Sequence, residues 1–548
     1  MLLHLPVCRS QSVFQAVRVE SNTPHSRPRV SDWKNKEEES KPENVALQSK
    51  KSSKRLDRSR NLKPSNDNRI DKSSYAGISP VRAVVVVRLM RIEMGGAFSD
   101  VLNGDGEDRL DKEMEYVKRT LGFSIPSLRP ENLKLVTEEV AGIVRWKKYL
   151  DYVISNVYDK DQNEFERMEP ILKQVLRLGS YELLKLEVPA YAVVNEAVKL
   201  ANAASRAGAG KLANALLRAV ASHKEKNTLP VPEVIGNLRS QARALGTIHS
   251  HPVWMVRRWT DRYGTEDTLK LMEWNNTRPF YALRANNATG TSRDDLIEQL
   301  KKLEVSYVKS PLLEDFVRVT SGLQEVLRSG LIQQGRCTVQ DESGGLVVEL
   351  LDPQPGDLVI DCCAAPGGKS LYIASRLKGK GKVIAVDINK ARLQLLKDSA
   401  KKAGVSEQVS VYNVDARDMI RGKTGLADRV LLDAPCSGLG VLSKRADLRW
   451  RRTLESFEEL TKLQDELLDG ACKMVRPGGV LVYSTCSIEP DENIDRITSF
   501  LARNQNFILE PLEREVPREM VSREGCFYSL PYTHGIDGAF AAKLRHKA

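Results

Sequence analysis

DLVIDCCAAPGGKS, residues Asp357–Ser370, is a strand that turns into a helix. Leu358, Val359 and Ile360 are consecutive strand formers, so a short buried strand is expected over Asp357–Cys363. The chain then runs through small residues and the pair Gly367-Gly368 before a helical stretch at Ser370–Leu377. Adjacent glycines let a ligand reach the backbone, and a helix N-terminus offers it unpaired N–H groups. The run is not GxGxxG, and the spacing before Lys369 is not that of a P-loop.

The same unit repeats downstream. Further strands are expected at Lys382–Ile388, Gln408–Val414, Arg429–Ala434 and Gly479–Ser484, with helices over Ala391–Ala403 and Leu454–Val475. Buried parallel strands joined by crossover helices make an open, doubly wound, Rossmann-like α/β sheet, assigned to residues 336–548. Upstream, residues 79–230 form an all-α domain. Val81–Met94 is dense in apolar residues, Ile171–Leu186 repeats them at three and four, and Val194–Leu200 and Leu212–Val220 continue the pattern. Between these two parts, residues 231–335 hold a linker and a small α+β module with a strand at Phe280–Arg284. Arg257, Arg258, Trp259, Arg262 and Tyr263 interleave there, which suits either RNA docking or a helix packing its aromatic side into a core.

Residues 1–78 lack hydrophobic periodicity and read as a disordered leader. Its first thirty residues carry Arg9, Arg18, Arg27 and Arg29 but one acid, Glu20, as in an organelle transit peptide, for a chloroplast before a mitochondrion. Sixteen Lys and Arg against nine Asp and Glu in residues 1–80 supply seven of the twelve net positive charges. Basicity is therefore weak evidence for a polyanionic partner. The longest apolar run, near Val84–Val87, is interrupted by Arg82 and Arg88, so no membrane is expected. None of the eight cysteines forms a CxxC pair, which argues against zinc and a disulfide framework; no metal is expected. A monomer is the expected state.

Polar residues cluster at the strand ends. Asp361, Asp387, Asp415, Asp433 and Cys486 each stand at or just past the C-terminal end of an expected strand, the edge at which open α/β sheets bind ligands. Asp387 is placed to accept two ribose hydroxyls and Asp415 to reach an adenine amino group. An acid for ribose and a glycine turn, with no pyrophosphate loop, point to S-adenosylmethionine over a dinucleotide. Two thiols follow, Cys436 in DAPCSG and Cys486 in STCS. Carbon 5 of cytosine becomes nucleophilic once a thiolate adds at carbon 6; an acid must hold the base, and a second acid/base group must release the product. Asp433, Cys436 and Cys486 match those three needs.

These motifs carry a resemblance. DCCAAPGGKS (Asp361–Ser370), DAPCSGLGVL (Asp433–Leu442) and YSTCSIEPDEN (Tyr483–Asn493) resemble the Sun-type RNA cytosine-5 methyltransferases. Arg177–Ala201 and Lys211–Val220 resemble the NusB helical RNA-binding fold. Together they make residues 80–548 similar to the members that act on bacterial small-subunit ribosomal RNA. VQDESGGL (Val339–Leu346) and HGIDGAFAAKL (His534–Leu544) match the family's flanking motifs, whereas Ser443-Lys444-Arg445 departs from its consecutive arginines. The resemblance implies S-adenosyl-L-methionine contacts from Cys363, Ala364, Ala365, Pro366, Gly367, Gly368, Lys369, Asp387, Asp415 and Asp433. It also implies Cys486 as nucleophile and Cys436 in product release, with RNA, foremost ribosomal RNA, as partner. In DNA cytosine methyltransferases the Pro-Cys thiol attacks, which makes Cys436 the rival nucleophile. Cytosine methylation of DNA or transfer RNA, a non-catalytic ribosome-assembly factor and an antitermination factor are the alternative functions.

Overall fold

The computed structural model describes residues 77–97, 107–158, 162–419, 427–512 and 515–548. The leader expected over residues 1–78 lies outside these, apart from Gly77 and Ile78.

The all-α expectation holds from the first described helix. Helix α1 (Pro80–Glu93) starts with Ser79 as N-cap and Pro80 in the first turn, where a missing N–H costs nothing. Val84, Val85, Val86 and Val87 are all buried, so α1 is surrounded rather than amphipathic. Packing outweighs the low helix propensity of four valines. Around it lie α2 (Glu107–Leu121), α3 (Leu133–Val157), α4 (Gln162–Glu166), α5 (Pro170–Leu184), α6 (Ala190–Ala204) and α7 (Ala209–Glu225). One apolar core joins them, and Trp450 from the far end of the chain packs against it.

Next come α8 (Leu238–Ile248) and α9 (Val253–Asn276), the latter two helical segments meeting at Gly264. The small module follows: β1 (Tyr281–Ala285), α10 (Arg293–Lys302), β2 (Ser306–Lys309), β3 (Phe316–Ser321), α11 (Leu323–Arg328) and β4 (Cys337–Val339). Its sheet is antiparallel, in the order β2-β3-β1-β4.

The C-terminal domain runs α12 (Glu342–Leu351), β5 (Leu358–Asp361), α13 (Gly368–Arg376), β6 (Lys382–Asp387), α14 (Lys390–Lys402), β7 (Val409–Asn413) and β8 (Ala427–Asp433). It continues through α15 (Leu448–Arg451), α16 (Leu454–Ala471), β9 (Val475–Thr485), α17 (Ile494–Arg503), β10 (Phe507–Leu509), β11 (Phe527–Ser529), α18 (Pro531–His534) and β12 (Ala539–His546). The sheet order is β10-β12-β9-β8-β5-β6-β7, with β11 on β12. Strands β9-β8-β5-β6-β7 are parallel, and the order reverses between β5 and β8. The sheet is nevertheless mixed: β12 runs antiparallel between β9 and β10. A short connection through α18 joins β11 to β12, too short for the crossover that a parallel pair requires. This reversal brings the loop before β12 to the carboxyl edge of the parallel strands.

Candidate active site

A cavity of about 260 Å³ opens at that edge, lined by Asp361, Cys363–Lys369, Asp433 and Cys486. Gly367 adopts φ +114°, and a Cβ there would come within 2.6 Å of Leu396, so conformation and space both demand glycine. The glycine turn leads directly into the α13 N-terminus, as its sequence required.

Asp433 is held from two sides. Lys369 Nζ donates to one carboxylate oxygen at 2.7 Å and Ser484 Oγ to the other at 2.8 Å. Burial alone would weaken the Lys369 ammonium, but Asp433, with Cys486 also facing it, holds its pKa above the ordinary value. Beyond it, Cys436 and Cys486 place their sulfurs 3.3 Å apart. The shared hydrogen bond with Cys486 and then burial push the Cys436 thiol up. Cys486 is exposed toward the cavity mouth, whereas Cys362 and Cys472 are buried small apolar groups.

Backbone contacts lock the thiol loops together. Gly440 N–H donates to the Cys486 carbonyl at 3.0 Å, and Gly538 N–H donates to the Gly440 carbonyl at 2.8 Å. A Cβ on Gly440 would fall 2.0 Å from the Gly538 oxygen, so this approach admits only glycine. Behind them, the Glu492 carboxyl accepts from Ser437 N and Oγ at 2.7 and 2.5 Å. Burial raises the Glu492 pKa against those hydrogen bonds.

Four of the Arg and aromatic residues of α9, Arg258, Trp259, Arg262 and Tyr263, are engaged within the fold. Trp259 is fully buried and its indole N–H donates to Glu489 at 3.0 Å. Arg258 and Arg262 pair with the same carboxylate, and Tyr263 Oη donates to the Ile488 carbonyl at 2.8 Å. Helix α9 thus braces the loop that follows Cys486.

Two expected cofactor ligands sit apart from the cavity wall. The Asp387 carboxylate accepts from Ala365 N–H at 3.1 Å and Asn389 N–H at 2.8 Å, tying the glycine turn to the end of β6. Asp415 is engaged by Arg417 through its backbone N–H at 2.9 Å and its guanidinium at 2.7 Å. Asp361 is in place: Ser370 donates to one oxygen at 2.6 Å, while the buried Oδ1 has no hydrogen-bond partner among the described residues. Burial pushes its pKa up to about 7. An unpaired buried acceptor fits a ligand carrying an ammonium group, as S-adenosylmethionine does.

Sequence reasoning missed a second charged cluster on the same cavity. Lys444 Nζ bridges Asp341 at 2.5 Å and Asp537 at 2.9 Å. Burial, with Asp341 nearby, lifts Asp537 to about 7. Both carboxylates lie in the flanking motifs noted above, where only their chemistry was overlooked. Among the described residues no His, Cys, Asp and Glu cluster could hold a metal ion.

Family models match in the same three parts: the NusB family over residues 88–222, an RsmF/B-like ferredoxin-like domain over 251–324 and the 16S rRNA methyltransferase RsmB/F over 348–545. A probable ribosomal RNA small subunit methyltransferase B of Bacillus subtilis is 33% identical, covering 80% of this chain and 96% of its own. A ribosomal RNA small subunit methyltransferase B of Vibrio vulnificus is 31% identical over 77% of this chain and 93% of its own. The crystal structure of the protein PH0851 superposes with a TM-score of 0.68 at 26% identity, covering 86% of this chain and 99% of that one. The cavity with its paired thiols thus lies in a NusB, ferredoxin-like and Rossmann-like architecture shared along nearly the whole length of these relatives, and the chain belongs to the RsmB/F family of methyltransferases.

Proposed function

We propose that this enzyme transfers a methyl group from S-adenosylmethionine to carbon 5 of a cytosine in small-subunit ribosomal RNA. The observation that carries the proposal is the pair of sulfurs, 3.3 Å apart, beside an Asp433 carboxylate held by Lys369 and Ser484. S-adenosylmethionine supplies the methyl group; Cys363–Lys369 and Asp361 line the wall that would hold it.

The Cys486 thiolate adds to carbon 6, and the electron pair moves to carbon 5, which would take the methyl group as the sulfonium–methyl bond breaks and its electron pair stays on sulfur. Lys369, paired with Asp433, lines the same cavity as Cys486. Asp433 holds the base edge by accepting from the exocyclic amino group. Cys436, as its thiolate, then takes the carbon 5 proton; the C–H electron pair reforms the 5,6 double bond and the Cys486 sulfur leaves as a thiolate. A stacked cytosine shields carbon 6, so the target is single-stranded or flipped out.

Incubating the purified chain with small-subunit RNA and S-adenosylmethionine, followed by bisulfite sequencing, tests this. A new protected cytosine supports it; methylation confined to transfer RNA, or none with intact cofactor binding, overturns it. The arginine-rich, acid-poor start of the leader further supports delivery to an organelle, the chloroplast before the mitochondrion. A fluorescent fusion of residues 1–78 that stays in the cytosol would overturn that proposal.

A further inference from the structure

Gln340 faces the glycine turn across the cavity. Its side-chain Cδ lies 3.9 Å from where a Cβ on Gly368 would sit, and its Nε2 3.7 Å from the corresponding point on Gly344. The absence of both side chains is what leaves open space in front of this amide. Gln340 is only 8% exposed, and Nε2 is buried without a hydrogen-bond partner among the described residues.

The other end of the amide is committed. Gln340 Oε1 accepts from Arg284 Nε at 2.9 Å. A guanidinium can only donate, so the amide has one orientation: oxygen toward Arg284, NH₂ toward the cavity. Arg284 stands on β1 of the small antiparallel sheet, outside the methyltransferase domain, and is 2% exposed. Its guanidinium carbon lies 4.4 Å from the Tyr372 ring centroid, and Tyr372 is anchored in turn on Glu349 at 2.6 Å. A buried arginine stacked in this way is a rigid support.

The cavity therefore holds two unmatched groups of opposite character. One is a donor, Gln340 Nε2; the other is an acceptor, Asp361 Oδ1. Buried polar groups without partners are rare in folded proteins and mark the place of a ligand. A donor and a carboxyl acceptor complement the carboxylate and ammonium of an α-amino acid. Lys369 lines the same cavity, but its ammonium is engaged by Asp433.

We infer that Gln340 donates to the α-carboxylate of the methionine part of S-adenosylmethionine, and that Arg284 is a positioning residue that presents the amide. This rests on the cofactor reading above and extends it: the small module, not only the Rossmann-like domain, builds the cofactor site. Displacing that module would misalign the amide and weaken the cofactor's hold on the protein.

Calorimetry on the full chain with S-adenosylhomocysteine and with 5′-methylthioadenosine, which lacks the amino acid, separates the possibilities. Gln340→Glu keeps the acceptor for Arg284 but turns a carboxylate toward the cavity. It should weaken S-adenosylhomocysteine by about 10- to 100-fold and leave 5′-methylthioadenosine within about twofold. Arg284→Met should weaken S-adenosylhomocysteine by about 3- to 10-fold with the same selectivity. Equal weakening of both ligands by Gln340→Glu, or unchanged S-adenosylhomocysteine, overturns the inference. Failure of the unaltered protein to bind either ligand sinks the cofactor reading and the inference with it.

Discussion

The Arg452 guanidinium donates to the Cys436 carbonyl at 3.0 Å, and it also reaches the Ser437 carbonyl at 2.9 Å. Arg452 follows a segment embedded in the helical domain. Trp450 donates to the Val144 carbonyl at 2.7 Å, and fully buried Arg449 to the carbonyls of Ser250 and Asn275, each at 3.0 Å. The Cys436 loop is therefore tethered to helix α3 through Arg452 and, two residues before it, Trp450. Arg452→Met should slow product release about tenfold, or ~1.4 kcal/mol, and leave a covalent RNA adduct visible on a denaturing gel. A lower Tm with undiminished turnover and no adduct would show a purely structural contact.

The two thiols separate in the same gel. Cys486→Ala should abolish methylation and any adduct. Cys436→Ala should still attack and alkylate but fail to release, accumulating an adduct that depends on Cys486 and S-adenosylmethionine. The double variant should form none. A reversed pairing would reassign the nucleophile to Cys436, and buried structural cysteines would give modest destabilisation with no adduct at all.

Asp387→Ala should reduce both cofactor binding and stability. From its place in the sequence, only the ribose contact is at stake. In the fold, its carboxylate also satisfies the Ala365 and Asn389 N–H groups, and each left unmatched costs about 1–3 kcal/mol. Thermal melts beside calorimetry would check this; an unchanged Tm contradicts the structural share.

Glu139 on α3 is 3% exposed, its Oε2 has no hydrogen-bond partner among the described residues, and burial, with Glu182 nearby, pushes its pKa from 4.5 up to about 8. The unfolded chain releases this proton near pH 4.5, while the folded chain keeps it until about pH 8. The folded state therefore binds more protons across that window, and stability falls as pH rises through it. Glu139→Gln should raise stability at pH 8 by on the order of a few kcal/mol and change little at pH 4.5. Equal effects at both values would contradict a buried neutral carboxyl.

Arg262→Ala should act on the catalytic loop and not on RNA attraction. It deprives fully buried Glu489 of an ion pair, and breaking one side of a buried pair typically costs about 3–5 kcal/mol. Arg258 remains as a second partner, so the loss should fall at the low end. The slope of log affinity for RNA against log salt should not change; a shallower slope would return Arg262 to the RNA interface.

Sequence alone determined the elements and the edge at which the chemistry sits. A glycine turn between an apolar run and a helix is a local signal, and so is an acid or thiol closing a strand; Asp361, Asp433, Cys436 and Cys486 were legible for that reason. Tertiary structure decided which of the remaining charges serve the cavity and which serve the frame. The basic, aromatic face of α9 was open to two readings because a guanidinium suits a phosphate as well as a buried carboxylate, and only proximity to Glu489 chose. The antiparallel insertion of β12 brought Asp537 to Lys444 across 93 residues. Gln340 and Arg284 meet across 56, and Arg449 reaches the Arg145 carbonyl across 304. No periodicity encodes such pairs: local patterning sets which face of an element is apolar, whereas the partner of a buried charge is fixed by which distant chain folds against it.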